Sequence, residues 1–280
     1  MSTATAQKMA SEEYHAHPAI GSTMLKTFRQ SPRRYEALYV LGTLEDSPPT
    51  KAMDRGTVGH AAILEPHIID HLIVEIPDSA LAANGHRRGK AWDTFKYDNA
   101  DKILMKSEEI EAIRAMQRAA YAHPIAGKLL RMEGPTEESR VWTCGETGLE
   151  RKIRTDKLVL PQYIVDVKTT EDVSPQWFAK TAANFDYEIQ AAYYLDGIQQ
   201  TTGNEPTFVW VAVSVSPPHP VRVYSLSPQG LLNGWNTMRR SLAALAASLD
   251  SGDFSEPGEH EVIEIDLPAW KNLNQYEVRA

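Results

Sequence analysis

The chain has 280 residues, 42% of them hydrophobic and 8% aromatic, which is ordinary globular composition and enough for one large folded domain. Its formal net charge of −8 excludes a protein that coats nucleic acid through a broad basic surface, but leaves room for an enzyme with a narrow basic track. A single cysteine, Cys144, excludes an internal disulfide and any zinc or iron–sulfur centre built from several thiolates of one chain.

In chain order, residues 1–18 mix Ser, Thr, Ala and His without periodicity and read as a mobile or loosely docked arm. Residues 19–280 then read as a single domain. Ser22 and Thr23 can cap a helix carrying Leu25, Phe28, Leu38 and Val40, interrupted by Pro32, and Pro48-Pro49 marks a loop. A second helix is predicted from Thr57 to Leu64, ending near Pro66, followed by a short strand from His71 to Ile76. Residues 78–98 are polar and read as loop. Ile110, Ile113 and Met116 mark an amphipathic helix over 108–121, with another short helix after Pro124. Three strands are predicted over 137–143, 149–158 and 162–167, then helices over 175–183 and 187–201. Strands over 207–215 and 221–226 and a long helix over 227–249 complete the order. The apolar stretch Phe208 to Val215 falls well short of the roughly 20 residues that span a bilayer, and the polar N-terminus has no secretory pattern. A cytoplasmic α/β protein with a mixed central sheet flanked by helices is expected.

The chemistry centres on Asp166-Val167-Lys168 at the end of a strand. Residues two apart project to the same face, so Asp166 and Lys168 lie side by side. A carboxylate that holds Mg²⁺ beside a lysine that can position or help deprotonate water suits phosphodiester hydrolysis. A lone Asp-X-Lys can equally be a surface pair. Asp156, at the end of the preceding strand, is a second acid that a hairpin would return beside Asp166, although two strand-end aspartates can also be turn residues. Basic runs at Arg33-Arg34, His86 to Lys90 and Arg151 to Arg154 are either a track for phosphates or solvated faces.

Three segments carry a family resemblance: Arg154-Thr155-Asp156, Ile164 to Thr170, and Tyr187 to Gly197. With the upstream Arg55 to Pro66, they resemble the nuclease domain of RecE-type exonuclease VIII and its phage-borne relatives, in the RecB-like branch of the PD-(D/E)xK superfamily. The matching segments run from about residue 20 to residue 200. The resemblance implies that His60 is a metal ligand, where the residues alone suggest a helix histidine satisfied by its neighbours. It implies that Glu137, one residue from the oppositely directed Glu138, joins Asp156 and Asp166 at the metal. Gln190 and Tyr194 match a Gln-X3-Tyr motif that orients the lysine or the DNA, and Arg154 contacts a phosphate or pairs with a neighbouring acid. Thr155 stands where the family often has proline, and only the catalytic domain, without the long N-terminal extension of some relatives, is expected.

The resemblance thus implies a Mg²⁺-dependent exonuclease, with Mn²⁺ as substitute, acting on double-stranded DNA ends from 5′ to 3′. The 3′ tails would pass to a RecT-like single-strand annealing protein, and the enzyme would work as a homo-oligomeric ring with Arg87-Arg88 and Arg151 to Arg154 lining its inner wall. The other readings are a DNA-end-binding protein that has lost catalysis, and a nuclease with a different task. No nucleophile elbow, P-loop, His-Glu-X-X-His or dinucleotide fingerprint is present.

Overall fold

A computed structural model describes residues 5–7, 9–45 and 51–268 of the chain. The elements, in order, are β1 (Thr5–Gln7), α1 (Ser11–Ala16), α2 (Ser22–Gln30) and α3 (Pro32–Tyr35), which runs into a π-helical turn over Glu36–Val40. Next come α4 (Lys51–Leu64), α5 (Ile69–Leu72), β2 (Ile73–Glu75), α6 (Lys90–Asp98), β3 (Ile103–Met105), α7 (Ser107–Ala122) and α8 (Pro124–Arg131). The central run is β4 (Thr136–Thr143), β5 (Glu150–Val159), β6 (Tyr163–Thr170), α9 (Pro175–Asn184), α10 (Tyr187–Thr202), β7 (Thr207–Ser214), β8 (Val221–Tyr224) and α11 (Pro228–Ser251).

Six strands form one sheet in the order β1-β4-β5-β6-β7-β8. All neighbours are antiparallel except β6 and β7, so the sheet is mixed. The parallel pair lies inside the sheet, and seven of the eight residues of β7 are buried, which is why its sequence reads as an unbroken apolar run rather than an alternation. Alternate side chains divide the core. Ile153, Ile164, Trp210 and Ala212 face α2, α10 and α11, while Val165, Val167, Val209 and Val211 face the side of α4, α7 and α8.

Helix α10 sits close against the sheet because Gly197 gives it room. A Cβ there would lie 2.7 Å from the Trp142 ring and 2.8 Å from Ile153 Cδ1, distances that no real side chain tolerates. That approach sets the depth at which the rest of α10 meets the strand ends. Among the described residues no helix is long and apolar enough to cross a membrane.

Four sequence expectations differ from the structure. The residues expected as a mobile or loosely docked arm include β1, which pairs with β4, and α1 with the residue that ends it, so that the carbonyls of Tyr14, His15 and His17 all accept from the Lys152 ammonium. The segment expected as loop over 78–98 ends in α6, where Trp92 and Phe95 pack together on a face too exposed to leave a clear apolar period. The strand expected over His71 to Ile76 is shorter, following the helical turn α5, and pairs in parallel with β3, which the sequence did not signal. The basic run of β5 is not a free track. Arg151 is 1% exposed and paired with Asp196, and Arg154 is tied to Glu137 and the Met9 carbonyl. The strand alternates these long side chains into both faces of a covered sheet, so their charges are spent internally. Pro48-Pro49 and residues 1–4 lie outside the described residues.

Candidate active site

The site forms where β5 and β6 part. Their ladder runs from Val159 opposite Tyr163 to Lys157 opposite Val165, and beyond it β5 continues against β4 while β6 continues against β7. Asp156 and Asp166, the next residues on each strand, therefore flank an opening. The Val167 N–H donates to Asp156 Oδ2 at 2.7 Å, so the carboxylate stands in for a backbone acceptor and is fixed at the fork.

Helix α4 comes close to β6 at Gly59, where a Cβ would meet Thr169 Cγ2 at 3.3 Å. The next residue, His60, places Nε2 2.6 Å from Asp156 Oδ2 and Nδ1 3.4 Å from Glu137 Oε1. Glu137 has a left-handed backbone, φ 52°, which non-glycine residues adopt rarely and at a cost of roughly 1–3 kcal/mol. Its carboxylate faces His60 and accepts from Arg154 Nε at 2.5 Å, whereas Glu138 turns away to Arg140 at 2.6 Å. One donor atom each from His60, Glu137 and Asp156 lie within 4.8 Å of one another.

Asp166 is not part of that triad. It is 1% exposed, and its two oxygens are engaged by Lys168 Nζ at 2.7 Å and Gln190 Nε2 at 3.2 Å. Tyr194, one turn along α10, also lines the cleft. The Gln190 amide thus steadies the acid that steadies the lysine, rather than the lysine itself. Above them, the Lys168 ammonium lies 4.8 Å from the centre of the Tyr187 ring, a cation–π contact. His60, Glu137, Asp156, Lys168, Tyr187 and Tyr194 form one wall of a cleft of about 1100 Å³, with Asp166 buried behind Lys168. Its other walls come from the segment Tyr14 to Pro18, from the start of α2, from Leu38 and Tyr39, and from α4.

The charges are strongly coupled. Burial opposes a charge on His60, but Asp156, and then Glu137, outweigh it and push its pKa up to about 9. Burial acts to raise Asp156, yet His60 and Lys168 hold it below the usual carboxylate range. Glu137 is raised by burial and by Asp156, with Arg154 opposing. Burial lifts Asp166 to about 6 against the pull of Lys168. Burial also disfavours the charge on Lys168, but Asp166 and Asp156 prevail and keep it an ammonium ion above the usual lysine range.

Two carboxylates and one imidazole at this spacing fit a hard divalent cation such as Mg²⁺ or Mn²⁺. The fit is visible in the acids themselves, since the proton on His60 supplies the positive charge between Asp156 and Glu137 that a cation would replace. A metal needs the neutral imidazole, so its binding must expel that proton. The expected result is metal affinity that rises between pH 6.5 and 9 by up to about tenfold per pH unit and levels off above, measured by titration calorimetry in buffers of different ionisation enthalpy. Without metal, the sign is opposite for stability. The His60 pKa is raised on folding, so its contribution is complete below pH 6.5 and is lost as pH rises through about 9. A melting temperature independent of pH across that window would contradict the His60 assignment.

Seven site residues were expected from the sequence. The structure gathers His60, Glu137 and Asp156 as a triad, and Asp166, Lys168 and Gln190 as a chain of contacts beside it, with Tyr194 in the same wall. It favours Glu137 over Glu138, and makes Arg154 the partner of an acid. Tyr187 was missed, although its place three residues before Gln190 puts both on one helix face. Tyr14 was missed because nothing in the sequence docks that segment.

A strand fork carrying Asp156, Asp166 and Lys168, within a mixed sheet covered by helices, defines the PD-(D/E)xK nuclease fold. The chain belongs to the family described as "PDDEXK-like domain of unknown function (DUF3799)", which matches residues 21–263. Its fold is also that of a crystal structure from Eubacterium rectale provisionally named an exonuclease, with a TM-score of 0.63 at 15% sequence identity, covering 95% of this chain and 98% of that one. A search of curated proteins finds no match.

Proposed function

We propose that this protein is a metal-dependent deoxyribonuclease that hydrolyses phosphodiester bonds at the ends of linear duplex DNA. The observation that carries the reading is the pairing, at one strand fork, of a ligand triad with a buried Asp166–Lys168 ion pair on the wall of an open cleft. His60, Glu137 and Asp156 would hold the cation, with the Asp166 carboxylate adjoining them. A divalent ion there supplies charge against the phosphate and acidifies a water nucleophile. Lys168, held as an ammonium ion by Asp166, presents a fixed positive charge toward a phosphate in the cleft. Gln190 keeps Asp166 oriented, and the Tyr187 ring packs against the lysine ammonium.

The finer reading follows the RecE-type resemblance: degradation of one strand from 5′ to 3′, leaving a 3′ tail for a single-strand annealing protein, by a closed homo-oligomer. With the β5 basic residues paired internally, an acidic protomer has few free phosphate contacts, and encirclement would keep it on DNA without strong affinity. Duplexes labelled at the 5′ or the 3′ end, with a closed circle as control, test this in Mg²⁺ and in EDTA, alongside light scattering. Expected are metal-dependent loss of the 5′ label from linear DNA, an intact circle and an oligomeric mass. Cleavage in EDTA would sink the metal reading, and equal cutting of the circle by a monomer would sink the end-directed one.

A further inference from the structure

The connection between α9 and α10 holds the ring of Phe185 out into solvent beside Tyr187, which lines the cleft. Phe185 is 55% exposed, so its ring is open to a ligand from solvent. It is nonetheless rigidly placed. Asp186, the next residue, is left-handed at φ 56° and bound to Arg29 at 3.0 Å, and the Phe185 carbonyl accepts from Lys26 at 3.3 Å. The phenyl ring stacks on Tyr187 with centroids 6.0 Å apart and planes 26° from parallel. Tyr187 in turn covers Lys168. A short aromatic stair therefore leads from solvent to the catalytic ammonium, and the Lys26 ammonium sits 5.1 Å from the centre of its outer ring.

We infer that Phe185 is a stacking platform for an unpaired base at the DNA end, with Lys26 placed for the adjoining phosphate. This inference rests on the nuclease reading above. An aromatic face beside a cation is the arrangement that holds single-stranded nucleic acid without regard to sequence, because every base offers a π-face and every linkage a charge. A base stacked on Phe185 is one that has left the duplex. The site would thus take frayed or overhanging ends, with the scissile phosphate near Lys168 and the terminal base parked outside the cleft.

The test uses the full chain, with Ca²⁺ replacing Mg²⁺ to hold DNA uncut, and a linear duplex carrying 2-aminopurine as an unpaired terminal base. Wild type is expected to quench that fluorophore, and Phe185→Trp to do the same. Phe185→Leu, which keeps apolar bulk but no π-face, and Phe185→Ala are expected to lose the quench and bind the frayed end roughly 5- to 100-fold more weakly. Their melting temperatures and their affinity for Mn²⁺ should match wild type. A leucine variant that binds and quenches like phenylalanine overturns the stacking role while leaving the nuclease reading intact. Wild type that neither cuts nor binds linear DNA overturns both.

Discussion

Lys168→Ala is expected to reduce DNA cleavage by roughly 10²- to 10³-fold or more, the usual loss when one group aimed at a developing charge is removed from a water-poor site. The lysine does not belong to the ligand triad, so metal binding by His60, Glu137 and Asp156 should persist in the variant. A second consequence follows from the ion pair. Asp166 already sits at about 6 with Lys168 opposing its rise, and without the ammonium its carboxyl moves further up. In the wild type, with metal kept saturating at each pH so that His60 does not set the rate, cleavage should therefore fall as pH drops through about 6, where Asp166 gains its proton. In Lys168→Ala any residual activity should show that limb at higher pH. Single-turnover rates across pH, beside Mn²⁺ titration, check both statements. A variant with near-normal rates would place the active centre elsewhere.

Asp156→Asn removes a charge with almost no change in shape. The amide oxygen can still accept from the Val167 N–H, so the fork should keep its geometry and the protein its fold. The carboxylate is also the strongest source of the raised His60 pKa after burial is set against it, so that pKa should fall back from about 9 toward the ordinary histidine range. Loss of one anionic ligand from a three-residue set should weaken metal binding by more than about 100-fold, beyond what outer partners of a metal site contribute. Cleavage should be lost with it. NMR titration of the His60 ring and calorimetry with Mn²⁺ measure the two effects separately. If the imidazole still titrated near 9 while metal binding vanished, Glu137 rather than Asp156 would be the partner that sets its charge.

The strands β4 to β8 and the helix α11 were legible because each states its pattern plainly. The strands alternate or run apolar according to whether one or both faces are covered, and α11 repeats its leucines at helical spacing. Asp166 and Lys168 were legible for the same reason, since a two-residue spacing on a strand fixes their common face. That Asp156 lies opposite Asp166 also follows from the hairpin. What the sequence could not state is that the ladder stops there, because divergence depends on β4 and β7 pulling the two strands toward opposite neighbours.

Only the tertiary structure decided the rest of the site. His60 reaches Asp156 because α4 crosses at Gly59, and Glu137 rather than Glu138 turns inward with a left-handed backbone that no pattern of residue types announces. The segment before Ile20 looked mobile or loosely docked because its residues show no period, yet it is bound through its main-chain carbonyls to Lys152 and Arg154, and such contacts leave no mark on side-chain composition. The same pairing withdrew the β5 basic run from the surface. Charge along a sequence counts residues of each sign, whereas the partner that neutralises each one is brought up by packing from elsewhere in the chain.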